Sequence, residues 1–343
     1  MTTTPVLPET MRVSQLDAAH SVRLTERPVP TPGASEVLVR VAAVGVCGSD
    51  THYYEHGRIG PFVVTAPLVL GHEASGTIVA VGSGVDAARI GSRVSIEPQK
   101  PCRACEQCKA GRYNLCAAME FFATPPIDGA FAEYVLIEQD FAHDVPDSIS
   151  DASAALVEPL SVGIAACHKA EVTAGSRVLI AGAGPIGVIT AQVARAFGAV
   201  EVHISDVSEP RLAFALQHGA THAHLAGAPL EHLAVDAFID ASGAAPAIRA
   251  GIPAVRPAGR VILVGLGADS LEMPVNLIQN NELWVTGVFR YANTWPTAIA
   301  LLANGSVNLD ALVTGSFGLD EVEAALTASR DGASMKTIVT PAS

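Results

Sequence analysis

The sequence predicts an α/β protein in two parts: a β-rich first domain and a doubly wound parallel-sheet domain. Three observations carry this. The first half holds short Val- and Ile-rich segments bordered by glycine and separated by long polar loops, the pattern of strands in a β domain. The second half alternates compact apolar strands with helical stretches, which implies a parallel sheet covered by helices. At the first strand–helix junction of that half stands Gly182-Ala183-Gly184-Pro185-Ile186-Gly187.

Taken in order, Glu36–Val46, Ala74–Val81, Arg93–Ile96 and Ala132–Ile137 read as strands, and 153–170 as a helix. Strands follow at 177–181, 200–205, 237–239, 261–264 and 283–288, with helices at 184–197 and 209–218. From Thr294 the chain reads as mostly helical, with a closing strand near Lys336–Val339. The expected division is 1–158 for the first domain, with 290–343 returning to it, and 159–289 for the second.

With 343 residues, 49% of them hydrophobic, the chain can bury two cores. Aromatics make up only 5%, so small and β-branched residues must do most of the packing. A formal charge of -13 repels phosphate backbones and anionic lipid surfaces, which argues against nucleic-acid and membrane partners. No segment is long and apolar enough to span a bilayer. The opening MTTTPVLPET lacks a basic stretch followed by an apolar run, so no secretory signal is read there. The expectation is a soluble, cytoplasmic chain.

The glycine motif follows a strand and opens a helix, the context a dinucleotide fold of the Rossmann type requires. The first glycine permits the tight turn, the second lets backbone approach a pyrophosphate, and the third allows close packing. The helix N-terminus offers free N–H groups to the phosphates. Asp206 ends the next strand, 19 residues beyond Gly187, where a carboxylate binds the adenosine ribose and repels the extra phosphate of NADP. NAD is therefore the expected cofactor. The bland alternative is a glycine-rich turn followed by a solvated acid.

Cys102, Cys105, Cys108 and Cys116 follow the spacing C-x2-C-x2-C-x7-C. Four thiolates so close can close a tetrahedral zinc shell with no open position, a structural site. An iron–sulfur cluster has similar spacing but usually ends in Cys-Pro, whereas Ala117 follows Cys116. A nucleic-acid-binding zinc ribbon fits poorly with the acidic chain. A second set, Cys47, His72 and Glu73, lies where one strand ends and the next begins. Alone, a Cys and a His are more often core residues. Together with a carboxylate they make a mixed soft and hard set, typical of a catalytic zinc that keeps a position open.

The run Gly71-His72-Glu73 with Gly76, the CGSD segment, the four-cysteine lobe and the glycine motif together resemble the zinc-dependent medium-chain alcohol dehydrogenases. The stretches CGSDTHYYEHGRIGPF, LVLGHEASGTIVAVG, GRYNLC, FFATPPIDGAF, LVEPLSVGIAAC and GVFRYANTWP resemble the polyol dehydrogenase branch of that family. The resemblance runs from about Val37 to Val339. It implies a GroES-like first domain and two zinc ions per chain. Cys47, His72 and Glu73 would hold the catalytic ion, with water or a substrate oxygen in the fourth place. Glu158 occupies the position where simple alcohol dehydrogenases place a cysteine ligand; in polyol enzymes a glutamate there bonds the water instead. Asp50 would orient His72, and Ser49 with His52 would relay protons. Tyr53, Phe122, Glu158, Arg290 and Tyr291 match substrate-pocket positions. The expected NAD contacts are Gly182, Gly184, Pro185, Ile186, Gly187, Asp206, Arg211, Val264, Val288 and Arg290. Some members of the family have lost the lobe cysteines; this chain keeps all four.

The implied reaction takes hydride from a secondary alcohol of a polyol of the sorbitol or xylitol kind to NAD, giving a ketose. The implied assembly is a homotetramer. A secondary-alcohol, butanediol or threonine dehydrogenase on the same fold is the alternative, since fold does not set substrate. A non-catalytic NAD- or zinc-binding protein would be expected to lose Cys47, His72 or Glu73, and none is lost. Arg290 could instead merely pair with a neighbouring acid. His203, His218, His222, His224 and His232 fall outside any ligand pattern. Cys167 reads as a buried thiol, and Trp284 and Trp295 as packing or interface residues.

Overall fold

The computed structural model describes residues 7–328 and 334–341. Residues 1–6, which open the MTTTPVLPET stretch, lie outside the described residues, as do 329–333 and 342–343. Contacts divide the chain into two compact units, Met1–Glu158 with Leu309–Ser343, and Pro159–Asn308. Residues 290–308, assigned to the first domain from the sequence, group with the second unit. They carry the helix Trp295–Ala303, and Gln192 holds both backbone groups of Asn308, accepting from its N–H at 2.8 Å and donating to its carbonyl at 3.3 Å.

In the first unit the strand Glu36–Gly45 is the hub of a seven-stranded sheet. Its antiparallel neighbours are Glu73–Val81 on one side and Lys336–Thr340 on the other, and Tyr134–Glu138 pairs with its first half. Beyond Glu73–Val81 come Arg93–Ile96 and Ala142–Asp144. A second sheet joins the hairpin Thr10–Ala18 and Ser21–Pro28 to Leu68–Val69. Inward residues of both sheets form one core of mostly Val, Leu, Ile and Ala, with Phe131 and Phe141 among the few aromatics.

Several elements differ from the expectation. The helix expected over 153–170 is two helices, Asp151–Ala155 and Val157–Lys169. In one continuous helix Pro159 would lose the bond to the carbonyl four residues back and clash with it; restarting at Val157 moves the proline into a first turn, where it is tolerated. The CGSD segment, given no element from the sequence, opens the helix Gly48–His56. The C-terminal stretch is not mostly helical, because Val313–Gly318 forms a strand parallel to Lys336–Thr340. Its two glycines mask the alternation that marks a strand.

The second unit is a six-stranded sheet, parallel throughout. Its order is His222–Leu225, Glu201–Asp206, Arg177–Ala181, Val235–Asp240, Val255–Leu263, Trp284–Gly287. That order turns outward in both directions from Arg177–Ala181 and Val235–Asp240, and the crevice beyond the ends of those two strands is where such sheets bind ligands. One side packs Leu179, Phe238, Val261 and Ile252 into a core.

Candidate metal centres and dinucleotide crevice

Strand register builds the first centre. Glu73 pairs with Gly45 across the sheet, and Ile338 pairs with Gly45 from the other side. Cys47 follows two residues later as the N-cap of Gly48–His56. The ligand atoms of Cys47, His72 and Glu73 thus lie within 4.8 Å of one another. Gly45 must lack a side chain, since a Cβ there would stand 2.0 Å from Glu73 Oε2. Glu73 is fully buried and His72 nearly so. A thiol, an imidazole and a carboxylate at this spacing suit zinc in a site with an open position.

Asp50 shapes the loop around this set. Its Oδ2 accepts the Cys47 N–H at 3.0 Å and its Oδ1 accepts the Gly71 N–H at 2.9 Å, so one buried carboxylate fixes the approach to both Cys47 and His72. His72 Nδ1 lies 3.6 Å from Asp50 Oδ1, an electrostatic contact longer than a hydrogen bond. Burial works against charge on His72, but Asp50 and Cys47 outweigh it and push the imidazole well above its usual range. Burial likewise works against the Asp50 carboxylate, yet His72 and the two N–H donors hold it low.

Ser49 and His52 fall three residues apart on the helix Gly48–His56, spaced to share one face. His52 is exposed, with its ring edge-on to His56 at 4.6 Å. Glu158, 6% exposed, sits in the first turn of Val157–Lys169. Tyr53 is buried in the core of the unit. Phe122 lines a cavity of about 450 Å³ with Met11, Arg27 and Tyr134; none of Cys47, His72, Glu73 or Glu158 borders it.

Two residues at this centre carried no clear signal in the sequence. Phe121 places its ring 5.7 Å from that of His72. Lys336, fully enclosed, donates from Nζ to Glu73 Oε1 at 2.5 Å, to Glu73 Oε2 at 2.6 Å and to the Val46 carbonyl at 3.0 Å. Burial disfavours its charge, but Glu73 and Cys47 outweigh that and raise its pKa above the ordinary lysine value. The sole hint in the sequence is a lysine opening a strand whose other residues are uncharged.

In the lobe, the sulfurs of Cys102, Cys105, Cys108 and Cys116 also gather within 4.8 Å. Cys105 and Cys108 stand 3.4 Å apart and Cys102 and Cys108 3.9 Å apart. Four sulfurs about 2.3 Å from one zinc would be about 3.8 Å apart in a tetrahedron, so the set fits. Backbone N–H groups of Ala104 and Cys105 pull the Cys102 thiol down to about 6, toward the thiolate a metal needs. Buried Glu97 ties the lobe to the sheet, accepting from the Tyr113 hydroxyl at 2.7 Å and lying 2.9 Å from His143 Nε2.

In the second unit each motif glycine has its own reason. Gly182 has φ 97, which a side chain resists. A Cβ on Gly184 would face open space with just the Arg211 guanidinium at 3.9 Å, and one on Gly187 would strike the Gly182 carbonyl at 1.8 Å. Gly184 caps the helix Pro185–Ala196, with Pro185 and Ile186 in its first turn. Asp206 accepts the Ala183 N–H at 2.6 Å and the Ser208 N–H at 2.8 Å, beside the glycine loop. Asp240, not singled out from the sequence, is buried and accepts from the Ser242 and Gly243 N–H groups, shaping the next loop of the crevice. Val264 and Val288 each follow the end of a strand, Val255–Leu263 and Trp284–Gly287.

Arg290 is half-buried at φ 56, its guanidinium 4.9 Å from the Phe289 ring. Tyr291 is 1% exposed and packs edge-on against the buried Trp295. Cys167 is buried, as expected, and burial pushes its thiol up. His203 stacks on His222 and His224 at the sheet edge. Among the described residues no third metal group forms.

Two family models match the chain: an alcohol dehydrogenase GroES-like domain over residues 33–147 and a zinc-binding dehydrogenase over 185–304. The chain is 41% identical to a sorbitol dehydrogenase of Bacillus subtilis (strain 168), over 94% of each. It is also 41% identical to a probable D-xylulose reductase A of Neosartorya fischeri, over 94% of this chain and 95% of the other. A short chain alcohol dehydrogenase from Escherichia coli CFT073, solved with cofactor NADH, superposes with a TM-score of 0.92 at 29% identity, covering 97% of this chain and 100% of that one.

Metal analysis of fully loaded protein should find two zinc ions per chain. Cys105→Ser should lower thermal stability, because a structural site contributes folding energy, while Cys47→Ser should abolish turnover and leave the melt close to the parent. Equal melting losses in both variants would reverse the assigned roles. Gly187→Ala should cost about 1–3 kcal/mol through overpacking and weaken NAD binding, read by titration calorimetry. Asp206→Ala should narrow the preference for NAD over NADP; an unmodified protein that takes both equally would show that this acid does not meet the ribose.

Proposed function

The chain belongs to the zinc-dependent medium-chain alcohol dehydrogenases, and from that membership we propose that it oxidises polyols of the sorbitol or xylitol kind to ketoses with NAD. The observation that carries this reading is the buried carboxylate of Glu158, whose charge acts on Lys336 behind the Cys47, His72 and Glu73 set. A carboxylate in such a place accepts hydrogen bonds that the neighbouring hydroxyls of a polyol can donate and an alkyl chain cannot. The relatives named for sorbitol and D-xylulose point the same way.

In this reading Cys47, His72 and Glu73 hold the catalytic zinc, and Cys102, Cys105, Cys108 and Cys116 the structural one. Zinc supplies Lewis-acid polarisation of an alcohol oxygen, and NAD accepts the hydride. Glu158 takes the hydroxyl proton, or passes it to the Ser49–His52 pair, whose exposed end reaches water. Asp50 keeps His72 in place. In the second unit Gly182, Gly184, Pro185, Ile186 and Gly187 cradle the pyrophosphate, and Arg211 faces the same loop. Asp206 receives the ribose hydroxyls, and Val264, Val288 and Arg290 complete the cofactor contacts. Tyr53, Phe122, Arg290 and Tyr291 are assigned to the substrate side on the family resemblance. The first unit is thus the catalytic domain and the second the NAD-binding domain.

A homotetramer is supported by the exposed edge strand Trp284–Gly287, on which Trp284 is 64% exposed. An uncovered apolar edge of this kind favours pairing with another copy. Among the described residues no helix is long and apolar enough to cross a membrane. A thiolate zinc lobe is best kept in a reducing compartment, which supports a cytoplasmic place.

A substrate panel with NAD, followed at the nicotinamide absorbance band, tests the reading. The specificity constant for xylitol or sorbitol should exceed that for 2-propanol by on the order of 10²-fold or more. At saturating NAD, Arg290→Ala should cut polyol activity by about 10–100-fold, the worth of a hydrogen bond to a charged group, and 2-propanol activity by less, the loss common to both substrates being its share in holding the cofactor. Equal specificity constants in the unmodified protein would favour a secondary-alcohol or butanediol dehydrogenase instead.

A further inference from the structure

The enclosed lysine behind the metal centre has no role in the mechanism above. Its three donors are all directed: two to the carboxylate oxygens of Glu73 and one to the carbonyl of Val46, the residue before Cys47. A carboxylate offers about four lone-pair sites on its two oxygens. With the ammonium across both oxygens, the side facing Lys336 is taken, and a metal held by Cys47 and His72 meets what remains. A carboxylate free to rotate could instead offer zinc both oxygens and crowd the open position that an alcohol needs. Charge matters as well. A thiolate and a carboxylate together cancel the two charges of zinc and blunt it as a Lewis acid, while an ammonium touching the carboxylate draws electron density back.

We propose that Lys336 is a positioning residue that restrains Glu73 to single-oxygen contact with the catalytic zinc and keeps that zinc electron-poor. The proposal rests on the reading of Glu73 as a zinc ligand. Gly45 supports it from the other side: its missing side chain leaves room for the carboxylate within 2.0 Å of where a Cβ would be, so Glu73 is confined between Gly45 and Lys336. The merely structural alternative is that Lys336 clips three strands together and leaves the metal unaffected.

The test uses full-length protein with cobalt in the catalytic site and zinc in the lobe. Three readouts are taken: the cobalt d–d spectrum, the rate at which a chromophoric chelator removes the catalytic metal, and the split between kcat and KM. The lobe zinc serves as an internal reference for folding. In Lys336→Met the d–d bands should weaken as the carboxylate closes on the metal through both oxygens. Metal release should slow, and kcat should fall by about 10–100-fold, the usual weight of a residue behind a ligand, with KM changing far less. Lys336→Arg should restore the parent spectrum and most of kcat. Should the methionine variant not fold, Lys336→Gln, which is neutral and keeps an N–H donor, takes its place in the same measurements.

An unchanged spectrum and release rate in the neutral variant would overturn the proposal, as would faster metal loss, which marks a lysine that only builds the site. Glu73→Gln separates the two readings. If it leaves the cobalt spectrum unaltered, Glu73 is not a ligand. If it alters the spectrum while the lysine variants do not, the inference about Lys336 alone fails.

Discussion

An ammonium and a carboxylate shut away from water hold the ends of three neighbouring strands in register, and the chemistry of the first unit is arranged around them. Taking each ion out of water costs several kcal/mol, and their attraction offsets this only with good geometry and further hydrogen bonds. Lys336 and Glu73 meet that condition: both carboxylate oxygens are bonded, and the third donor reaches Val46. A well-packed apolar pair would fill the same space without the desolvation cost. What it could not do is aim a carboxylate at the spot where Cys47 and His72 converge. Gly45 completes the constraint, since any side chain there would occupy the carboxylate's place.

The second unit solves its problem with backbone rather than side-chain charge. A pyrophosphate is large and anionic, and several N–H groups at a helix start meet it better than one or two long side chains. The demands fall on close approach: Gly187 lies against the Gly182 carbonyl, and Asp206 accepts the Ala183 N–H. Asp206 is therefore held in place by the loop it serves, and Asp240 does the same for the neighbouring loop at the point where the strand order turns. In each unit a buried or half-buried acid fixes backbone before any ligand arrives. Asp50 does this for Cys47 and Gly71, in the turn that carries the metal ligands.

What could be read from the sequence follows from how local each signal is. The glycine motif, the four-cysteine lobe and the alternation of strand and helix are written within a few consecutive residues, and the structure places them accordingly. Cys47, His72 and Glu73 are separated in sequence but mark the end of one strand and the start of the next, so a single antiparallel pairing unites them. Lys336 is joined to them by a pairing between segments nearly a whole chain apart, which no local pattern announces. The hairpin Thr10–Pro28 and the strand Val313–Gly318 escaped for the opposite reason: their polar residues and glycines blur the period of two. The split at Leu156 was latent in Pro159, whose place is tolerated in a first helical turn and not in a helix interior. The packing of Tyr291 on Trp295, and of Phe122 along a cavity with Met11 and Tyr134, is likewise set by neighbours distant in sequence or by loop geometry that no local pattern announces.

Charge at the first centre gives a reason for a metal ion to settle there. Cys47, Glu73, Asp50 and Glu158 are four groups able to carry negative charge, the three acids buried and the thiol half-buried, and Lys336 supplies one positive charge against them. The surplus leaves its mark on His72, where Asp50 and Cys47 overcome burial and favour the protonated ring. A ring nitrogen that carries a proton cannot bind zinc, so loading the metal must release that proton. The same field that attracts the proton attracts a dication more strongly, because the gain grows with charge while the cost of desolvating the anions has already been met by folding. The buried acids thus serve the metal twice: Asp50 and Glu73 fix where the ligands stand, and together with Glu158 they make that place favourable for a doubly charged ion.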